Sequence, residues 1–240
     1  ARYDNWMDYG VFGPSYENYT GCSETLESNT VGYGISAMVS GYHMVTRGYV
    51  NAELGEDAAL MVFRSQLNKP DMFNWIVDFA RLPVLPNAIV GFQGRCYVFD
   101  ATNMFRINPA TMEIEDSIRG IGCLGMSAIH TTEFGMFFAD KNGVYMHTGR
   151  DLDPIGLAIA PKWKELMAAN PEISVQYLSS MQSVCFMIHG TAAKVKIFTY
   201  HLAKKRWDYW ESLKTDGTNV TAMTGLNGTV YLPWVVNNQS

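Results

Sequence analysis

Gly94-Arg95-Cys96-Tyr97-Val98-Phe99-Asp100, followed by Asn103-Met104-Phe105-Arg106-Ile107, is the stretch on which the fold turns. A glycine opens a short apolar run, an aspartate closes it, and a second apolar run comes back after a turn. The device recurs. Gly135-Met136-Phe137-Phe138-Ala139-Asp140 is followed by Gly143-Val144-Tyr145-Met146-His147, and Gly228-Thr229-Val230-Tyr231-Leu232 opens a further copy. Ser183-Val184-Cys185-Phe186-Met187-Ile188-His189 occupies the same place without the glycine. The starting positions 94, 135, 183 and 228 stand 41, 48 and 45 residues apart. Periods of about 40 to 50 residues built from short strands and turns point to propeller blades. The sequence therefore predicts a mainly β chain of β-propeller-like repeats. Each repeat is a four-stranded antiparallel blade, the set is incomplete or distorted, and one short helix is inserted.

Working outward from that stretch, Ala88-Ile89-Val90-Gly91-Phe92 reads as an inner strand and Gln93-Gly94 as a hairpin turn. Cys96 to Asp100 and Met104 to Ile107 follow as strands, and the polar run Met112 to Ile118 is the outer one. Buried inner strands and polar outer ones suit a blade covered on its faces. In the next repeat, Ser127 to Thr132, Met136 to Ala139 and Val144 to Thr148 read as strands. Asn142-Gly143 is the strongest hairpin signal, because that pair tolerates positive φ. Pro161 to Pro171 reads as a short helix that packs through Trp163, Leu166 and Met167. Strands follow at Val175 to Ser179, Val184 to His189, Val195 to Tyr200 and Arg206 to Trp210, with Trp207 and Trp210 on opposite faces. Val220 to Thr224 and Val230 to Trp234 begin the last copy. Before the clear repeats, Ala59 to Phe63 and Phe73 to Phe79 read as two strands, with a turn at Asn68 to Asp71.

Residues 1–57 differ in character. They carry Tyr3, Tyr9, Tyr16, Tyr19, Tyr33, Tyr42 and Tyr49 among many glycines, and they contain no lysine. The expectation is a Tyr/Gly-rich segment, either an irregular flank or an interface between subunits, followed by a propeller-like domain over 58–240. The chain starts at Ala1 without a methionine and stops at Ser240 just after opening a new copy, so it reads as a piece of a longer polypeptide.

Hydrophobic content of 48% with 13% aromatic residues supports a sizeable core. A net charge of −5 argues against a grip on nucleic acid that depends on neutralising phosphates, and is compatible with a wall along which a strand slides. No apolar run is long enough for a membrane-spanning helix. Cys22, Cys96, Cys123 and Cys185 are scattered and read as free buried thiols, with two disulfides as the alternative.

Few residues suggest chemistry. His43, His130, His147, His189 and His201 match no metal or catalytic pattern, so no metal site and no cofactor are expected. Gly120-Ile121-Gly122-Cys123-Leu124-Gly125 looks like a dinucleotide fingerprint but leads into no helix. Asp151 and Asp153 could form a carboxylate pair for glycoside hydrolysis. Asp100 and Asp140, each ending a strand near an asparagine, read as turn formers. Lys204-Lys205-Arg206 reads as a solvated turn. Asn18, Asn219 and Asn227 sit in glycosylation sequons that a reducing compartment would leave unused.

The stretch Val90 to Asp100 with Asn103 to Pro109, together with Gly120-Ile121-Gly122-Cys123 leading into Thr131 to Tyr145, resembles virion proteins of tailed bacteriophages. The nearest resemblance is to the tail nozzle (tubular protein B-like) proteins of short-tailed phages. It implies a structural protein that is not an enzyme. Copies would assemble into a ring, a hexamer as a rule, around the channel through which DNA leaves. It also implies adaptor and fibre proteins as partners, transient non-specific contact with DNA, assembly in the host cytoplasm and a final place in the virion tail. Edge strands and aromatic side chains would hold neighbours together, with residues 1 to 50 contributing. Two alternatives stay open: a phage adaptor or receptor-binding module, and a propeller glycoside hydrolase using Asp151 or Asp153.

Overall fold

The computed structural model describes residues 34–46, 59–73, 77–169, 171–189 and 194–213. It also describes short strands at 219–220, 224–226, 229–231 and 234–235. The architecture is mainly β and propeller-like, built from antiparallel sheets whose strands follow one another in sequence. The chain divides into two units, 1–122 and 123–240.

In the first unit, β1 (Ile35–Val39), β2 (Tyr42–Thr46), β3 (Met61–Gln66), β4 (Lys69–Phe73) and β5 (Phe79–Arg81) form one sheet. β6 (Ala88–Phe92), β7 (Arg95–Phe99), β8 (Asn103–Ile107) and β9 (Ile114–Arg119) form the next, in that order. The two sheets pack through their first strands, β1 against β6. Val39, Met44, Val62, Ala80 and Leu82 from one meet Ile89, Cys96, Val98, Phe105 and Ile107 from the other in a single buried cluster. Burying such aliphatic side chains stabilises by roughly 1.5–3 kcal/mol each. β9 is almost wholly exposed, as expected of an outer strand.

Two corrections arise here. The segment expected to be irregular or interfacial up to residue 57 contains a hairpin at 35–46 that belongs to the first sheet, so a boundary at 57/58 would cut that sheet. The hairpin closes on Ser40-Gly41, both at positive φ, the conformation that a two-residue turn needs. Tyr3, Tyr9, Tyr16, Tyr19, Tyr33, Tyr49 and Cys22 lie outside the described residues. The strand expected over Phe73 to Phe79 is instead the end of β4 and the start of β5, with Val77-Asp78 turning between them. β3 pairs with β5 through Met61–Phe63 and with β4 through Ser65–Gln66. Arg64 holds Asp78 in that turn. Its carboxylate receives two hydrogen bonds from Arg64, and its carbonyl accepts from the Arg64 N–H at 3.0 Å. The expected turn at 68–71 is tighter than anticipated, because Asn68 at φ 57° completes it with Leu67. Pro70 then falls in an outer strand, where a missing N–H is tolerated.

In the second unit, β10 (Ile129–Thr131), β11 (Met136–Ala139), β12 (Val144–His147) and β13 (Leu152–Asp153) form one four-stranded sheet. β14 (Glu172–Leu178), β15 (Ser183–His189), β16 (Lys194–His201) and β17 (Arg206–Leu213) form another. Between them in sequence lies α1 (Ala160–Met167), with proline in its first turn. Trp163, Leu166 and Met167 are buried, as the helical spacing predicts. The Trp163 indole N–H donates to the Asp140 carbonyl at 3.1 Å, while its ring meets Phe186 and Phe198, so the helix ties the two sheets together. The strand expected from Ser127 begins only at Ile129, because Met126–Ala128 forms a 3-10 turn whose Ser127 hydroxyl donates to the Ile173 carbonyl. The last copy differs from a four-stranded blade among the described residues. β18 (Asn219–Val220) pairs with β21 (Trp234–Val235), and β19 (Thr224–Leu226) with β20 (Thr229–Tyr231).

The hairpin turns are closed by side chains. The Asp100 carboxylate accepts from the N–H groups of Thr102 and Asn103, both at 2.5 Å. Asp140 does the same for Asn142 and Gly143, at 2.7 and 2.8 Å. Both aspartates are turn formers, as the repeat position predicts. The positive φ expected at Asn142-Gly143 is absent, because Asp140 satisfies those two N–H groups and the turn wraps around its carboxylate instead. Replacing Asp140 with alanine leaves two turn N–H groups without their acceptor. The expected loss is about 2 kcal/mol in a urea melt, with asparagine restoring part of it.

Candidate functional site

The sheet β14–β17 holds the largest aromatic concentration among the described residues. On one face Phe186 and Phe198 meet both Trp163 and Trp207, Tyr200 meets Trp207, and the Trp207 indole N–H donates to the Ile155 carbonyl at 2.9 Å. Alternation along β17 sends Trp207 and Tyr209 to that face, and Arg206, Asp208 and Trp210 to the other. Trp210 is 58% exposed and Tyr209 40%. The two tryptophans thus take opposite faces as the spacing predicts. Trp207 packs and Trp210 stands open. The Tyr209 hydroxyl donates to Glu211 at 2.6 Å, and burial together with that carboxylate pushes the phenol pKa up.

On the Trp210 face a polar chain runs outward from the core. The Met181 carbonyl accepts from the buried Ser183 hydroxyl at 2.8 Å. Ser183 Oγ lies 2.7 Å from His201 Nδ1, His201 Nε2 lies 2.8 Å from Asp208 Oδ2, and Arg206 donates to the same oxygen at 3.0 Å. The Arg206 guanidinium and then His201 hold the Asp208 carboxyl below its ordinary range. Serine, histidine and aspartate in contact suggest a nucleophilic triad, but this arrangement lacks the access such chemistry requires. Ser183 is fully buried, and its hydroxyl already engages a carbonyl. The network pins the ends of β15, β16 and β17 together. No local pattern in the sequence links His201 to Ser183 or Asp208. The signal was register, since Ser183 pairs with His201, and His201 with Arg206.

The other histidines stay apart. His43 is buried, and its Nδ1 lies 3.0 Å from the Pro70 carbonyl. His147 Nδ1 accepts from the Gly149 N–H at 2.9 Å. His130 sits on β10 opposite Phe137. The side chain of His189 lies outside the described residues. Burial lowers the pKa of both His43 and His130 below 6.5, the carbonyl partner of His43 offsetting this only in part. A histidine whose folded pKa is depressed takes up its proton more readily in the unfolded chain. Its stabilisation is full above about pH 6.5 and fades as pH falls further. The urea midpoint should hold steady from pH 8 to 7 and decline from 6.5 to 5, with a shallower decline in His43→Gln.

Asp151 and Asp153 are exposed at the edge of the sheet β10–β13. The Asp151 backbone closes a turn with Thr148, and Asp153 pairs with Met146. No group of histidine, cysteine and carboxylate side chains suited to a metal gathers among the described residues. Cys96, Cys123 and Cys185 are free and buried as expected. Burial raises all three thiols, Cys123 to about 12. Lys204 and Lys205 lie in a solvent-facing turn, with Lys205 at φ 48°, whereas Arg206, expected in the same turn, opens β17.

No protein-family model matches the chain, and no curated protein matches it. Solved structures do. The extracellular domain of a putative one-component system from B. thetaiotaomicron superposes with TM-score 0.55 at 10% identity, over 85% of this chain and 25% of that one. The N-terminal domain of Nup159 gives 0.49 at 9% identity, over 83% of this chain and 55% of that one. A chain of the S. cerevisiae Dbp5 complex with Nup159 and Gle1 gives 0.45 at 9% identity, over 74% of this chain and 46% of that one. This chain spans a quarter of the length of the first, and the likeness is one of fold alone.

Proposed function

We propose that this chain is a structural subunit of a bacteriophage tail nozzle, assembling with copies of itself into a ring around the channel through which DNA leaves. The observation that supports the reading is the form taken by the residues that carry the resemblance. Val90 to Pro109 and Thr131 to Tyr145 fold as successive antiparallel hairpins closed by matching aspartate turns at Asp100 and Asp140. A rigid sheet scaffold with an acidic balance of −5 suits a conduit that must not hold phosphates. On this reading the chain makes and breaks no bonds, its place is the virion tail, and adaptor and fibre proteins are its neighbours. Sedimentation over rising concentration tests it. A closed oligomer, six copies of a 26.9 kDa chain, is expected, and a chain that stays monomeric throughout would overturn it.

A second reading, an adaptor or receptor-binding module, draws on the exposed Trp210. Large aromatic side chains left open on a folded sheet are a common mark of a binding surface. Sedimentation separates the two readings, because a receptor-binding module does not require a ring.

A further inference from the structure

We propose that the outer strand β17 carries a binding platform for a neutral saccharide, with Trp210 as the stacking surface and Asp208 and Arg206 as its hydrogen-bonding arms. The three side chains alternate onto one face of the strand. Successive residues of such a row are about 7 Å apart, a spacing that one sugar ring and its hydroxyls can bridge. Trp210 is 58% exposed, so the indole offers a flat apolar surface to a ligand.

The polar arms are held in place from the core outward. Ser183 is buried and fixes His201, and His201 and Arg206 together fix Asp208 through its Oδ2. Among the described residues Oδ1 is not engaged, so a carboxylate acceptor stands ready beside the indole. The Arg206 side chain is 58% exposed and offers further N–H donors on the same row. A site prepared in this way loses little freedom on binding.

The chemistry of the row selects the ligand. A sugar ring presents a face of C–H groups to an indole and a rim of hydroxyls that both donate and accept. Asp208 accepts and Arg206 donates, and their charges cancel, which favours an uncharged ligand. An anion on Trp210 would meet the Asp208 carboxylate, and a cation would meet Arg206. Strand addition by a second copy is opposed by the charges of Arg206, Asp208 and Glu211 along the edge itself. The proposal stands whether or not the chain forms rings.

Electrophoresis of the full chain through gels containing dextran, xyloglucan or galactomannan tests it. Retardation by at least one of these neutral polymers is expected. Trp210→Ala should abolish the retardation, Trp210→Phe should keep part of it, and Asp208→Asn should weaken it roughly tenfold, the loss of one charged hydrogen bond. Circular dichroism confirms that each variant is folded. Four results would overturn the proposal: no retardation in any neutral gel, retardation only by an anionic polymer such as alginate, retardation unchanged in Trp210→Ala, or a change of particle mass in Trp210→Ala with retardation intact. Ring formation is read from sedimentation of the unmodified chain, so failure here leaves that reading untouched.

Discussion

Replacing Trp163 with alanine is expected to cost about 3–5 kcal/mol. The indole is fully buried and lies on the face of β14–β17 that carries Phe186 and Phe198. Alanine would leave a cavity lined by aromatic rings too rigid to collapse into it. It would also remove the donor for the Asp140 carbonyl, at the turn that closes β11 and β12. Trp163→Phe keeps most of the volume and loses mainly that hydrogen bond, so about 1–2 kcal/mol is expected. Urea melts of the three proteins give the comparison. Equal midpoints for wild type and Trp163→Ala would mean that α1 does not hold the two sheets together.

Gly122→Ala is expected to destabilise by more than about 3 kcal/mol or to prevent folding. A methyl group there would stand 2.3 Å from the carbonyl carbon of Ala101 and from the nitrogen of Thr102, and 2.4 Å from the carbonyl oxygen of Asp100. All three are backbone atoms of a turn that Asp100 locks through its bonds to Thr102 and Asn103, so none can swing aside. Gly120→Ala is the control. Gly120 has φ 86° but open space around it, so only the conformational penalty applies, about 1 kcal/mol. Soluble yield and melting temperature should separate the two variants sharply. The dinucleotide-like glycine pattern at 120–125 thus owes at least one of its members to backbone packing.

Much of the fold was legible because apolar alternation and turn residues agreed. Ala88 to Ile107 shows this best, where Gln93-Gly94 fixes the register that pairs Val90 with Tyr97. The helix was legible for a similar reason, since Pro161 marks a start and Trp163, Leu166 and Met167 share a face. What escaped was decided by contacts remote in sequence. Phe73 to Phe79 has strand composition throughout, yet Val77-Asp78 is a turn in which the Asp78 carboxylate accepts from Arg64. Asn142-Gly143 reads as a turn by its own φ preferences, yet the Asp140 carboxylate sets its form. Val220 to Thr224 and Val230 to Trp234 each read as one strand, and no local signal assigns the two ends of each to different sheets.

The candidate surface was half legible. Opposite faces for Trp207 and Trp210 follow from spacing, but that Trp207 packs while Trp210 stays exposed depends on Ile155 meeting Trp207 and on Trp210 standing on the edge strand, since further in the Trp210 face is itself buried at Cys185, Met187 and Val195. The Ser183–His201–Asp208 chain needed the register of three strands before its members could be brought together.

Single-particle imaging of the purified chain above micromolar concentration puts the ring itself to the test. Copies arranged with rotational symmetry around an open centre are the expected result. Particles the size of one chain at every concentration would contradict the assignment to a tail nozzle.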